Sequence, residues 1–89
     1  MKDLKYLREE LDNIDKDMAE LFEKRMEVIK DVKKWKENNN YPIYDASRES
    51  SMLDKNLKHL KDKELAPYYK IFLEGVTTSS KEYMKANKK

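Results

Sequence analysis

The sequence predicts an all-α fold built from one long helix, one short helix and one medium helix. Three observations carry that expectation. The 89 residues include one Gly and two Pro, so breaks are few. The chain is 43% charged and 38% hydrophobic, rich in Glu, Lys, Leu and Met, which are good helix formers. Apolar residues also recur at alternating spacings of three and four: Leu4, Leu7, Leu11, Ile14, Met18, Leu21, then Arg25, then Val28, Val32 and Trp35. That is a heptad seam, and nine of its ten positions are apolar.

The long helix comes first. Asp3 to Asn38 contains neither Pro nor Gly, and at about 1.5 Å per residue it would exceed 50 Å. A compact domain of this size has a radius of gyration of about 12–13 Å. The remaining half of the chain cannot cover so long a seam, so a second copy is the economical way to bury it. Asn38, Asn39, Asn40 and Pro42 should end the helix, and Tyr41 to Tyr44 read as a short extended link.

Asp45 is placed to cap the second helix, with Arg48 and Glu49 in its first turn. Met52, Leu53, Leu57 and Leu60 form its apolar stripe, which predicts an end near Lys61. The polar stretch Lys61 to Glu64 then leads to Pro67, which suits the first turn of a third helix. That helix places Tyr69, Phe72, Val76, Ser80 and Tyr83 at helical spacing, and the aromatic residues of all these stripes are expected in the core. Gly75 falls mid-helix and should weaken it by roughly 0.5–1 kcal/mol relative to Ala. Ala86 to Lys89 should fray. With no repeat and no low-complexity linker, residues 1–89 read as a single helical domain.

Composition excludes several function classes. The net charge of +2 lacks the basic excess of a dedicated nucleic-acid binder. Lysines are interleaved with Glu and Asp, as on solvated helix faces. No Cys means no disulfide or thiolate metal site, and the single His59, expected at the surface, cannot form a metal cluster alone. No apolar run has the length of a membrane span or the pattern of a signal peptide, which makes the cytoplasm the default location.

Arg25 is the informative exception in the seam. A guanidinium stays charged inside a protein, and burying it unpaired costs several kcal/mol. An anion must meet it, either a protein carboxylate or a ligand carboxylate. An Arg at a seam position can also serve only to fix register, so other cations decide the matter. Lys36 follows by eleven residues, roughly 20° from the same face and about 16 Å along the axis, so both side chains can converge on one small molecule. Arg8 precedes Arg25 by seventeen residues, about 25 Å, and cannot reach that molecule from the same helix. In an antiparallel dimer the second copy's Arg8 can. Arg48, at the start of the second helix, is free to fold over the site. Singly, each of these cations reads as surface charge. Together they describe a pocket for a small dianion inside an apolar bundle.

The residues carrying this pattern resemble a known family. Leu7-Arg8-Glu9, Ile14-Asp15, Leu21-Phe22-Glu23-Lys24-Arg25, Lys36 and Pro42 through Glu49 are similar to the all-helical (type II) chorismate mutases, as are Leu65 to Tyr69, Phe72 and Ser80-Lys81-Glu82-Tyr83. The resemblance covers nearly the whole chain, and the spacing from Arg8 through Arg25 and Lys36 to Asp45, Arg48 and Glu49 matches without a gap. It implies an intertwined homodimer of three-helix chains with two composite sites, which rearranges chorismate to prephenate on the route to phenylalanine and tyrosine.

By resemblance, Arg25 and the second copy's Arg8 would bind the two substrate carboxylates. Lys36 would face the ether oxygen and a carboxylate, and Arg48 would add charge. Glu49 would accept from the ring hydroxyl, Asp45 would contribute through its backbone, and Ser80 would meet the carboxylate at the ring. The rearrangement is unimolecular, so no nucleophile, metal or cofactor is required. The site must fold the substrate into its reactive shape and stabilise charge growing on the ether oxygen. One position departs from the family pattern. Gln, or sometimes Glu, is expected four residues after Ser80 as a donor to the ether oxygen, and this chain has Met84, whose thioether donates nothing. Sliding the register by one would instead pair Ser79 with Tyr83, but Ser80 with Met84 keeps the Ser-Lys-Glu-Tyr string in step. A chorismate mutase of reduced activity is therefore the leading expectation. The alternatives are an isochorismate-pyruvate lyase, a non-catalytic regulatory domain that binds chorismate or prephenate, and a plain helical dimerisation module.

Overall fold

The computed structural model describes residues 3–86. Helix α1 spans Leu4–Asn38, α2 spans Ala46–Leu57 and α3 spans Ala66–Ala86. A 3-10 turn at Lys63–Leu65 joins the last two helices. The all-α expectation of one long, one short and one medium helix is met.

The three consecutive asparagines stop α1 by a defined route. Asn40 adopts the left-handed conformation (φ 51°), which Asn tolerates better than most side chains. The chain then folds back on its own last turn. The Tyr41 N–H donates to the Lys36 carbonyl at 2.8 Å, and the Asn40 N–H reaches the Glu37 carbonyl at 3.4 Å. This pair of bonds is a Schellman closure, which satisfies carbonyls that a helix end would otherwise leave open. Asn39 adds its side-chain amide to the Trp35 carbonyl at 2.8 Å.

Asp45 caps α2 as expected, its carboxylate accepting from the Arg48 N–H at 3.1 Å. The helix ends at Leu57, not near Lys61. Hydrogen bonds tighten to the three-residue type there, from the His59 N–H to Asn56 and from the Leu60 N–H to Leu57. Lys63 folds back to donate to the Leu57 and Lys58 carbonyls at 3.3 and 3.4 Å. Leu60 keeps a half-buried place from this turn rather than from the helix. Asp62 then accepts from the Glu64 N–H at 3.0 Å, and Pro67 lies in the first turn of α3.

Along α3 the buried residues are Leu73, Ser80 and Met84. The expected line agrees at Ser80 but not at Phe72, which is exposed and stacks on Tyr69 with ring centroids 5.9 Å apart. Leu73 faces inward because α3 packs against both α1 and α2, and the face shared by both contacts runs through Leu73 and Met84. Nothing lies within 4 Å of where a Cβ on Gly75 would stand, so no close approach compensates for its helix cost. Of the tail expected to fray, Ala86 is helical and residues 87–89 lie outside the described residues.

The chain is elongated, 55 × 25 × 16 Å, with a radius of gyration of 16.3 Å, well beyond the compact value. No residue of α1 is buried. Most of the seam is open, with Leu21 62% and Val28 61% exposed, and Trp35 shares this exposure instead of lying in a core. Arg25 and Val32 alone among the ten seam residues are half-buried. A contiguous apolar face of this length is far larger than isolated surface residues would make.

Candidate active site

Where α3 crosses the C-terminal half of α1, a cavity of about 370 Å³ opens. Helix α1 contributes Arg25, Val28, Ile29, Val32 and Lys36 to its wall. The link and α2 contribute Ile43, Asp45, Arg48, Glu49 and Met52, and α3 contributes Thr77, Ser80, Lys81 and Met84. Its size and mixed lining suit a small organic anion with a hydrophobic body.

Arg25 enters from the seam and donates through Nη1 to Ser80 Oγ in a short contact. The Ser80 hydroxyl in turn donates to the Val76 carbonyl at 3.1 Å. Ser80 is buried, so this contact fixes the guanidinium at the cavity wall. Partial burial, and then the neighbouring Arg48 charge, lower the Arg25 pKa. Both causes disfavour the charged form, yet the guanidinium remains charged at any working pH. Among the described residues no carboxylate forms an ion pair with it. Among the described residues, the anion that Arg25 calls for is therefore not supplied by a carboxylate of this chain.

A stability consequence follows. In the ligand-free chain, Arg25→Leu removes a desolvated cation and completes the seam. We expect thermal unfolding to move upward by a few degrees, corresponding to roughly 0.5–2 kcal/mol. A clear loss of stability on differential scanning would instead assign Arg25 a structural role.

Lys36 is held at the other end of the cavity. Its Nζ donates to the Ile43 carbonyl at 2.9 Å and lies 5.9 Å from the Tyr41 ring centroid. The Schellman closure sets this geometry, because it folds Tyr41 back onto Lys36. The Tyr41 hydroxyl donates to Asp45 Oδ2 at 3.2 Å, which joins the link to the α2 cap. Glu49, in the first turn of α2, pairs with Lys81 at 3.0 Å.

On α3, Ser80 and Met84 line the cavity, whereas Ser79 and Tyr83 do not. Ser79 is exposed and donates to the Gly75 carbonyl at 2.9 Å. Met84 is 4% exposed, and its thioether brings no donor to the cavity that Lys36 also lines.

Seven of the eight residues singled out in the sequence, Arg25, Lys36, Asp45, Arg48, Glu49, Ser80 and Met84, therefore surround one space. Arg8 does not. It is exposed on α1, about 25 Å along the axis from Arg25, and does not line this cavity. His59 is exposed, as expected. Sequence reasoning missed Lys81 as part of the wall. The signal was available in helical spacing, since Thr77, Ser80, Lys81 and Met84 recur at three and four residues along one face.

The sequence profile of chorismate mutase type II matches residues 7–85. The chain belongs to the type II chorismate mutase family. Among curated proteins, the T-protein of Haemophilus influenzae is 43% identical over 53 residues, 60% of this chain and 14% of that protein. The bifunctional chorismate mutase/prephenate dehydratase of Buchnera aphidicola subsp. Schizaphis graminum is 40% identical over 53 residues, with the same two shares. The T-protein of Enterobacter agglomerans is 39% identical over 51 residues, 57% of this chain and 14% of that protein. The stretches matched thus cover about a seventh of each relative's length. No solved structure matches significantly. Among the described residues, no helix of this chorismate mutase family member is long and apolar enough to cross a membrane.

Proposed function

We propose that residues 1–89 act as one chorismate mutase domain, converting chorismate to prephenate in the cytoplasm as a homodimer with two composite sites. The observation that carries this reading is the convergence of Arg25, Lys36 and Arg48 on one cavity of mixed lining, with no carboxylate among the described residues paired to Arg25. Family membership and the Buchnera relative, named for this activity, support the choice of substrate.

In this reading Arg25 binds one substrate carboxylate and Arg8 of the second copy binds the other. Two anchored carboxylates hold the substrate folded, so the cost of reaching its reactive shape is met on binding. Lys36 faces the ether oxygen, where its ammonium stabilises the charge that grows as the C–O bond breaks. Arg48 adds positive field, Glu49 accepts from the ring hydroxyl, and Ser80 meets the carboxylate at the ring. The Asp45 backbone contributes at the α2 start. The rearrangement exchanges bonds within one molecule, so no side chain needs to act as nucleophile or base.

The Met84 thioether at the cavity wall favours one second reading, a non-catalytic domain that binds chorismate or prephenate. Mixing the purified chain with chorismate separates them. We expect chorismate absorbance to be lost and prephenate to accumulate. Saturable prephenate binding without turnover would establish the binding domain instead, and release of pyruvate from isochorismate would mark a lyase.

A further inference from the structure

We propose that Lys81 is a positioning residue, one that fixes the Glu49 carboxylate at the cavity wall in the orientation needed to accept from the ring hydroxyl of the substrate. This rests on the function proposed above for the same cavity. Lys81 leaves α3 one residue after Ser80, and its Nζ meets Glu49 Oε1 at 3.0 Å across the α2–α3 contact. The same ammonium lies 5.0 Å from the Tyr44 ring centroid, on the link just before the α2 cap. It is therefore fixed from two sides, by a carboxylate and by an aromatic face. Both partners of the pair line the cavity, and their side chains are 28% and 27% exposed.

A pair this accessible to water adds little to stability. Its consequence lies inside the cavity. Glu49 is a carboxylate in a site that has to admit a dianion, and two carboxylates near one another repel. Four cations (Arg25, Lys36, Arg48 and Lys81) face two carboxylates (Asp45 and Glu49) in this wall. This chain's wall thus carries an excess of two positive charges, to which Arg8 of the second copy would add a third, and removing Lys81 takes one away. The unpaired Glu49 would then be free to swing toward Arg48 or solvent.

The hydroxyl bond is present in the bound substrate and in the transition state alike, so Lys81 should act on KM and leave kcat nearly unchanged. We would compare Lys81→Met, Lys81→Arg, Glu49→Gln and the Lys81→Met/Glu49→Gln double variant in the full chain. Lys81→Met should raise KM for chorismate by about tenfold, and Lys81→Arg should restore most of the loss. Once Glu49 is already neutral, adding Lys81→Met should cost nothing further, the non-additivity expected of residues acting as one unit. Unfolding midpoints of all four ligand-free variants should stay within about 2 °C of the parent.

An unchanged KM in Lys81→Met, or additive losses in the double variant, would overturn the role. So would a fall in midpoint with intact kinetics, which marks a structural tie. Should the parent bind prephenate without turnover, the same comparison is read by calorimetry on prephenate, with Kd in place of KM. A parent that neither turns over chorismate nor binds prephenate removes the proposed function, and the Lys81 role with it. A working parent with an equally working Lys81→Met removes the Lys81 role alone.

Discussion

An Arg8→Ala chain and an Arg25→Ala chain, each nearly inactive by itself, should recover activity when unfolded and refolded together. Arg8 is exposed and about 25 Å along α1 from Arg25, so no rotamer brings it to the cavity of its own chain. An antiparallel pairing of two α1 helices would carry one copy's Arg8 to the other's Arg25 while covering the open seam from Leu4 to Trp35. In a heterodimer of the two variants, both losses fall on the same site and the other site is intact. Random pairing makes half of the dimers mixed, so the refolded mixture should reach about a quarter of parental activity. The parent should sediment at twice its 10.8 kDa chain mass at micromolar concentration. Heterodimers that form without activity would place Arg8 outside the machinery, and a stable folded monomer would remove the composite site altogether.

The periodic parts of the fold were legible because local chemistry decides them. A seam apolar at nine of ten positions and three successive asparagines are enough to specify α1 and its stop, and Asp45 is enough to specify the start of α2. The end of α2 was not legible. Leu60 continues the apolar period, yet Lys63 withdraws the last carbonyls into a turn through contacts that no period records. The inner face of α3 was ambiguous for a related reason. Tyr69, Phe72, Leu73, Val76 and Met84 support two neighbouring apolar lines, and only the simultaneous contact with α1 and α2 selects the one through Leu73 and Met84.

The site was legible where spacing along a helix could be computed, as for Arg25 and Lys36. For Lys81, one of 20 basic residues, spacing shows only that it shares a face with Thr77, Ser80 and Met84, and its role becomes distinct when α2 carries Glu49 to within 3.0 Å of it. The cavity's apolar wall was equally hidden. Val28 and Val32 read as seam positions, with no sign that they also border a binding space.

The position of Met84 leads to the prediction with the largest expected gain. Met84 lines the cavity with Lys36, and its thioether cannot donate a hydrogen bond. In the proposed reaction, negative charge develops on the ether oxygen, and Lys36 alone would stabilise it. Loss of one donor at such a position in other enzymes costs about 10²–10³ in rate, roughly 3–4 kcal/mol of barrier. Gln is close to Met in length and volume and restores an amide donor. Met84→Gln should therefore raise kcat for chorismate by about tenfold or more. KM should change little, because the new bond strengthens mainly as the C–O bond breaks. The same change should lower ligand-free stability by about 1 kcal/mol, since it places a polar amide at a position only 4% exposed. Opposite signs for rate and stability distinguish a gain in transition-state stabilisation from a general improvement in folding. Tyr83→Phe is the control, and because Tyr83 does not line the cavity it should be almost silent. If Met84→Gln leaves turnover unchanged while Tyr83→Phe abolishes it, Tyr83 is the donor. If none of the three proteins turns over chorismate, Met84 is part of a site built to bind rather than to convert.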